Sequence, residues 1–140
     1  MSNPTTTPKP RPVVAPWARH FWDECRAHRL VLQYCPSCDL QIFYPRMACP
    51  RCLGMELGWR QASGRGTIYT YTIVKANAPS AFVADVPYVV AVIRLEEGVQ
   101  MLSNIVDSNH EELECDVPVE VVFERLDDEF TLPKFRVVKR

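Results

Sequence analysis

Two C-P-x-C pairs constrain this chain more than any other feature. Cys35-Pro36-Ser37-Cys38 and Cys49-Pro50-Arg51-Cys52 are separated by ten residues. Each pair forms a tight knuckle that turns two sulfurs toward one point, and the short spacer brings the knuckles together around one ion. Cys35, Cys38, Cys49 and Cys52 are therefore the expected metal ligands. A closed four-thiolate site suits structural zinc and leaves no position for a substrate; iron in a rubredoxin-like site is the alternative. Left-handed backbone is expected after the second cysteine of each knuckle. Asp39 tolerates it, whereas Leu53 does so poorly, so the second knuckle is expected to relax at Gly54.

The flanking residues give the site its setting. Leu30–Tyr34 reads as a strand entering the first knuckle, and Leu40–Tyr44 leaves it, with Pro45 breaking the run. Some thirty residues of this kind hold too few apolar side chains for a core of their own, so the metal would supply much of the folding free energy. Upstream, Trp17, Phe21 and Cys25 recur at helical spacing beside Ala18 and Trp22, after Pro16 at a favourable helix start. These aromatics suit either the core of the same chain or a partner surface. Residues 1–16 hold five of the twelve prolines and a Thr run, which predicts a disordered or extended arm.

Beyond Trp59 the pattern is all-β. Gly64-Arg65-Gly66 marks a bend, and strands are expected over 67–74, 88–95, 99–106, 117–125 and 130–138, with Pro118 and Pro133 at edges or bulges. Five strands with a long first connection suit an OB-type barrel. The expected organisation is thus mainly β: an arm over 1–16, an amphipathic helix over 17–29, a zinc ribbon over 30–60 and an OB-fold barrel over 61–140.

Candidates for chemistry are sparse. Cys25 and Cys115 read as small core hydrophobes. His20, His28 and His110 stand at no recognisable motif spacing, and neither a phosphate loop nor a nucleophile elbow is present. With a net charge of −1, no apolar run of membrane-spanning length and no secretory signal, the expectation is a cytoplasmic protein with reduced thiols. Single-stranded nucleic-acid binding is one reading, since ribbons and OB barrels serve it and Tyr69 and Tyr71 offer stacking faces. The loops that grip nucleic acid in such barrels are here almost uncharged (76–87) or acidic (126–129), which disfavours phosphate. The other reading is an acyl- or partner-binding subunit, supported by the apolar 76–87 loop with Pro79, Phe82, Val83 and Val86.

The order of Phe21-Trp22, Leu30–Tyr34, Tyr44-Pro45-Arg46, Gly64–Thr67, Tyr69–Thr72, Pro87-Tyr88, Leu95–Gly98, Val119–Phe123 and Pro133–Phe135 resembles the thiolase-associated family once labelled domain of unknown function thirty-five. The likeness runs from about Trp17 to the C-terminus. Glu114-Cys115-Asp116 departs from it, standing where relatives commonly carry a glycine-bearing turn. The resemblance implies N-terminal helices, a rubredoxin-like zinc ribbon and an OB barrel. It further implies a non-catalytic accessory subunit of a thiolase-like enzyme, or of a hot-dog-fold hydratase, acting on acyl-CoA thioesters. Thiolysis, retro-aldol cleavage and acyl transfer are the reactions such partners perform, with the catalytic groups in the partner. On that reading Trp17, Phe21, Trp22 and Phe82 are expected at the partner interface. Arg46, Arg51, Arg65 and Lys75 are expected near CoA phosphates, which suit guanidinium and ammonium groups.

Overall fold

The computed structural model describes residues 8–139; the part of the expected arm over residues 1–7 lies outside them. Pro16–Ala18 forms one 3-10 turn that leads into helix α1, Arg19–Arg26. Pro16 sits at the first helical position, where its missing N–H costs nothing. The helix is shorter than the expected 17–29, because His28 takes a left-handed φ of 61° and ends it.

The ribbon has three strands, one more than the sequence suggests. β1 (Val31–Cys35) pairs antiparallel with β2 (Leu40–Ile42) on one side and β3 (Gly58–Gln61) on the other. The third strand was hidden because Gly58-Trp59-Arg60-Gln61 has neither alternation nor β-branched residues. It is held by the register Gln33↔Trp59 and Leu32↔Arg60. Immediately after it, the Ala62 N–H donates to the Leu30 carbonyl at 2.8 Å.

The barrel comprises β4 (Arg65–Val74), β5 (Tyr88–Leu95), β6 (Gln100–Ile105), β7 (Pro118–Arg125) and β8 (Thr131–Val137), closed in the order β4-β5-β6-β8-β7. All neighbours are antiparallel except β6 and β8, which meet in parallel at one residue pair, Ile105↔Phe135. Pro133 is tolerated inside β8 because that edge is so sparsely paired; its carbonyl instead accepts from Ser103 Oγ at 2.8 Å. Along β5 the side chains of Val89, Ala91, Ile93 and Leu95 are buried, alternating with outward ones as a two-residue period requires.

One core joins the parts. Phe21 and Cys25 of α1, Leu30, Val31 and Leu32 around β1, and Ile68, Val89, Ile93, Val119 and Phe135 of the barrel form a single buried cluster. The ribbon's private cluster contains only Cys35, Ile42 and Cys49, flanked by Cys38, Leu40 and Leu57. Cys25 behaves as the expected core residue, and burial pushes its thiol up to about 12. Cys115 does not. It is exposed, because Asp116 turns the chain with a φ of 71° and donates its N–H to the Ile68 carbonyl.

Glycine matters most where β4 crosses β5. A Cβ on Gly66 would stand 2.4 Å from the Arg94 carbonyl oxygen, whereas one on Gly58 would meet nothing within 4 Å. Gly66→Ala is expected to cost about 1–3 kcal/mol by overpacking, and Gly58→Ala to stay within about 0.5 kcal/mol. Denaturant unfolding of the two variants measures the difference.

Candidate metal centre

The two knuckles bring Cys35, Cys38, Cys49 and Cys52 together, with all four Sγ atoms within 4.8 Å of one another. Cys35 and Cys52 stand 3.7 Å apart and Cys49 and Cys38 4.0 Å. Four sulfurs about 2.3 Å from one tetrahedral ion lie about 3.8 Å from each other, so the donor set fits zinc. Backbone amides already point at the sulfurs: Arg51 N–H donates to Cys49 Sγ and Gly54 N–H to Cys52 Sγ, each at 3.4 Å.

Backbone amides and burial push the thiols in opposite directions. The backbone amide of Cys52 brings the Cys49 thiol down to about 6, aided by that of Arg51. Burial pushes Cys38 up to about 12, reinforced by the neighbouring sulfurs, and also raises Cys35. Four thiols this close cannot all ionise alone; a divalent cation among them lets each become a thiolate.

The knuckle turns are left-handed at Asp39, φ 50°, and Leu53, φ 64°. The first agrees with expectation, and Tyr34 OH steadies Asp39 through a 2.7 Å bond to its carboxylate. The second corrects it, since Leu53 itself takes the strained conformation rather than handing it to Gly54. The reason is hydrogen bonding. Cys49 N–H donates to the Gly54 carbonyl at 2.8 Å and Leu53 N–H to the Cys49 carbonyl at 2.9 Å, which fixes the turn at residue 53. The Leu53 side chain is 75% exposed and gains nothing in return.

Gln33 is the supporting residue that the sequence reading missed. Its buried side chain donates to the Arg46 carbonyl at 2.8 Å and accepts from the Arg46 N–H at 2.7 Å. This clamp ties β1 to the approach of the second knuckle. A lone Gln in an apolar strand was the available signal.

The other candidate residues scatter. Arg46 and Arg51 are exposed on the ribbon. Arg65 begins β4 and pairs with Glu96 at 3.3 Å, while Lys75 follows the far end of that strand. A strand of that length separates the two by roughly 30 Å. Of the aromatic set, Trp17 is 43% exposed, but Phe21 is only 1% exposed and cannot anchor a partner. Phe21 is enclosed by Trp22, Phe43 and Tyr44, because the helix turns Ala18, Phe21 and Cys25 inward rather than Trp17. Trp22 is half-buried and donates its indole N–H to Tyr44 OH at 2.8 Å. Phe82 is half-buried against Tyr88, with ring centroids 5.9 Å apart, so its loop folds back on the barrel while Val83 stays exposed. Among the described residues no helix is long and apolar enough to cross a membrane.

A helix, a four-cysteine ribbon and a five-stranded OB barrel on one core define a two-module zinc-ribbon/OB-fold protein. The modules match two family models, described as "ChsH2, rubredoxin-like zinc ribbon domain" over residues 22–57 and "ChsH2, C-terminal OB-fold domain" over residues 59–124. A Methanocaldococcus jannaschii "DUF35 domain-containing scaffold protein" is 36% identical over 118 residues, covering 84% of this chain and 80% of its own length. The chain belongs to this ChsH2/DUF35 family. A Thermomonospora curvata "Probable enoyl-CoA hydratase alpha subunit" is 31% identical over 128 residues, which is 91% of this chain but only 40% of that protein. A solved structure titled "Ltp2-ChsH2(DUF35) aldolase" superposes with a TM-score of 0.82 at 31% identity, covering 91% of this chain and 98% of that one.

Protein purified without added metal is expected to carry one zinc per chain by elemental analysis, and iron would overturn the assignment. Zinc retention should fall as pH is lowered, because protons compete for the thiolates. Cys49→Ser should weaken zinc binding by more than the ~10–100-fold that loss of an outer-shell partner costs. Leu53→Gly should relieve about 1 kcal/mol of left-handed strain, seen as a higher denaturation midpoint of the metal-loaded protein.

Proposed function

We propose that this chain is the non-catalytic accessory subunit of a thiolase-like enzyme, or of a hot-dog-fold hydratase, that acts on acyl-CoA thioesters. The supporting observation is the superposition with the aldolase-complex chain, which spans nearly the whole of both chains at 31% identity. The likeness to a hydratase alpha subunit extends the candidates for the partner, although this chain corresponds to only 40% of that protein. In this reading zinc is structural, and the partner supplies the groups that form or cleave a carbon–carbon bond or add water next to the thioester. The accessory chain contributes shape: a rigid ribbon and barrel against which the partner builds its CoA and acyl site.

The side chains best suited to the partner contact are apolar and exposed without an internal role. Trp17, Met47, Leu53 and Met55 meet that description on the helix and ribbon, at 43%, 55%, 75% and 66% exposure. Large apolar groups in such positions are normally covered by something. For CoA itself, Arg46, Arg51, Arg65 and Lys75 are alternatives rather than one constellation, given the span of β4.

Affinity purification from the native host is expected to recover a thiolase-fold or hydratase subunit in fixed stoichiometry, identified by mass spectrometry. A partner fully active without this chain would overturn the proposal. Trp17→Ala should weaken the association by about 2 kcal/mol with the fold unchanged by circular dichroism. In the assembled complex at most one of Arg65→Ala and Lys75→Ala should lower CoA-ester affinity; a loss in both would reject the placement of CoA at either end of β4.

A further inference from the structure

The described part of the N-terminal arm is seated across the two loops at one end of the barrel. Arg11 Nε bonds Asp127 Oδ2 at 2.7 Å, its Nη2 bonds Glu129 Oε1, and the guanidinium lies 5.1 Å from the centre of the Phe130 ring. Two residues earlier, Lys9 Nζ pairs with Asp85 at 2.8 Å and stands 5.9 Å from the centre of the Phe82 ring. The two sites have the same composition: carboxylate at the side, aromatic face beneath. That combination suits a cation better than either component alone.

The Arg11 site is preformed by the loop itself. Asp127 Oδ1 accepts the backbone N–H groups of Glu129 and Phe130, both at 2.8 Å, which leaves Oδ2 held outward. Those amides, and then Arg11, hold the Asp127 carboxyl below its usual range. Phe130 is buried, and Trp22 packs edge-on against it at 5.7 Å, so its ring is fixed in place. Arg19 of α1 adds a looser contact to Glu129 at 3.8 Å, and Asp128 is occupied by Arg125. The segment that fills the two sites is Pro8-Lys9-Pro10-Arg11-Pro12, whose alternating prolines favour an extended backbone. That segment places Lys9 in one site and Arg11 in the other.

We propose that the 80–85 and 127–130 loops form a docking site for an extended partner segment carrying two cations two residues apart, occupied in this chain by its own residues 8–12. Both ion pairs are substantially exposed, with Lys9 and Arg11 side chains 42% and 52% accessible. Contacts of that kind are individually weak and screened by salt, so the arm is displaceable. The site borders a groove of about 700 Å³ on the outer face of β5, β6 and β8, floored by Val90, Leu102 and Leu132. A partner segment that replaced the arm would continue into it. The site stands whichever enzyme the chain assists.

The test uses the full chain with Lys9→Ala and Arg11→Ala, and a fluorescent peptide of residues 8–15, PKPRPVVA, as the probe. By anisotropy the double variant is expected to bind the peptide, and the unaltered chain to bind it about tenfold more weakly because its tethered arm competes. Raising salt from about 50 to about 300 mM should weaken binding about tenfold. Adding Asp127→Asn and Glu129→Gln to the double variant should remove binding. Equal binding by the unaltered chain and the double variant would overturn the proposal. So would absence of binding by a double variant with an unchanged circular dichroism spectrum, or binding that survives loss of the two carboxylates.

Discussion

Convergence of four sulfurs in two knuckles that lie outside the molecule's main core is the constraint on which the ribbon end of this structure depends. The ribbon's own cluster amounts to two buried cysteines and one isoleucine, with three partly covered neighbours. Apolar burial on that scale does little to offset the conformational entropy of ordering the knuckles, whereas β1 is anchored in the shared core. A metal ion among the four thiolates would add the missing stabilisation, and would also account for oddities that otherwise count against the sequence. An exposed leucine is held in a left-handed turn, and burial, reinforced by the neighbouring sulfurs, pushes the Cys38 thiol up. A bound ion would hold the backbone and the sulfurs in these positions.

Much of this was legible in the sequence, and the legible parts share a reason. Ligand spacing, β-rich runs such as 67–74 and 88–95 and the bend at Gly64-Arg65-Gly66 are local patterns, and local patterns survive reading in one dimension. β5 has the expected bounds, and the other barrel strands agree to within about two residues, the usual uncertainty of a boundary. What escaped depends on partners distant in the chain. β3 is a strand only because β1 offers it a ladder. Leu53 is strained because Cys49 and Gly54 bond around it. Phe21 is buried, rather than offered to a partner, because Phe43 and Tyr44 arrive from the ribbon to enclose it. The N-terminal prolines suggest a disordered or extended arm, but not the carboxylates more than a hundred positions away that receive Arg11.

The functional picture follows from where the ordered chemistry lies. The four sulfurs converge on one closed site, Cys25 is buried with its thiol raised, and many charged side chains pair at the surface. Such a chain is suited to presenting surfaces, which agrees with the scaffold description carried by its archaeal relative. Its surfaces differ in chemistry: apolar side chains around the ribbon, carboxylates with aromatic faces at the loop end of the barrel. Two surfaces of unlike character allow contacts to be made separately, each with its own sensitivity to salt.

The two family models meet between residues 57 and 59, yet the molecule has no seam there. β3 begins at Gly58, lies against β1 of the ribbon, and runs within a few residues into β4 of the barrel. Phe21, Leu32 and Ile68, from three different parts of the chain, belong to the same cluster. A crossover at this point in evolution would therefore exchange more than one module. It would bring a foreign third strand to the ribbon and a foreign wall to the core. A substitution that reshapes the shared core from the ribbon side therefore calls for compensation on the barrel side, and the reverse.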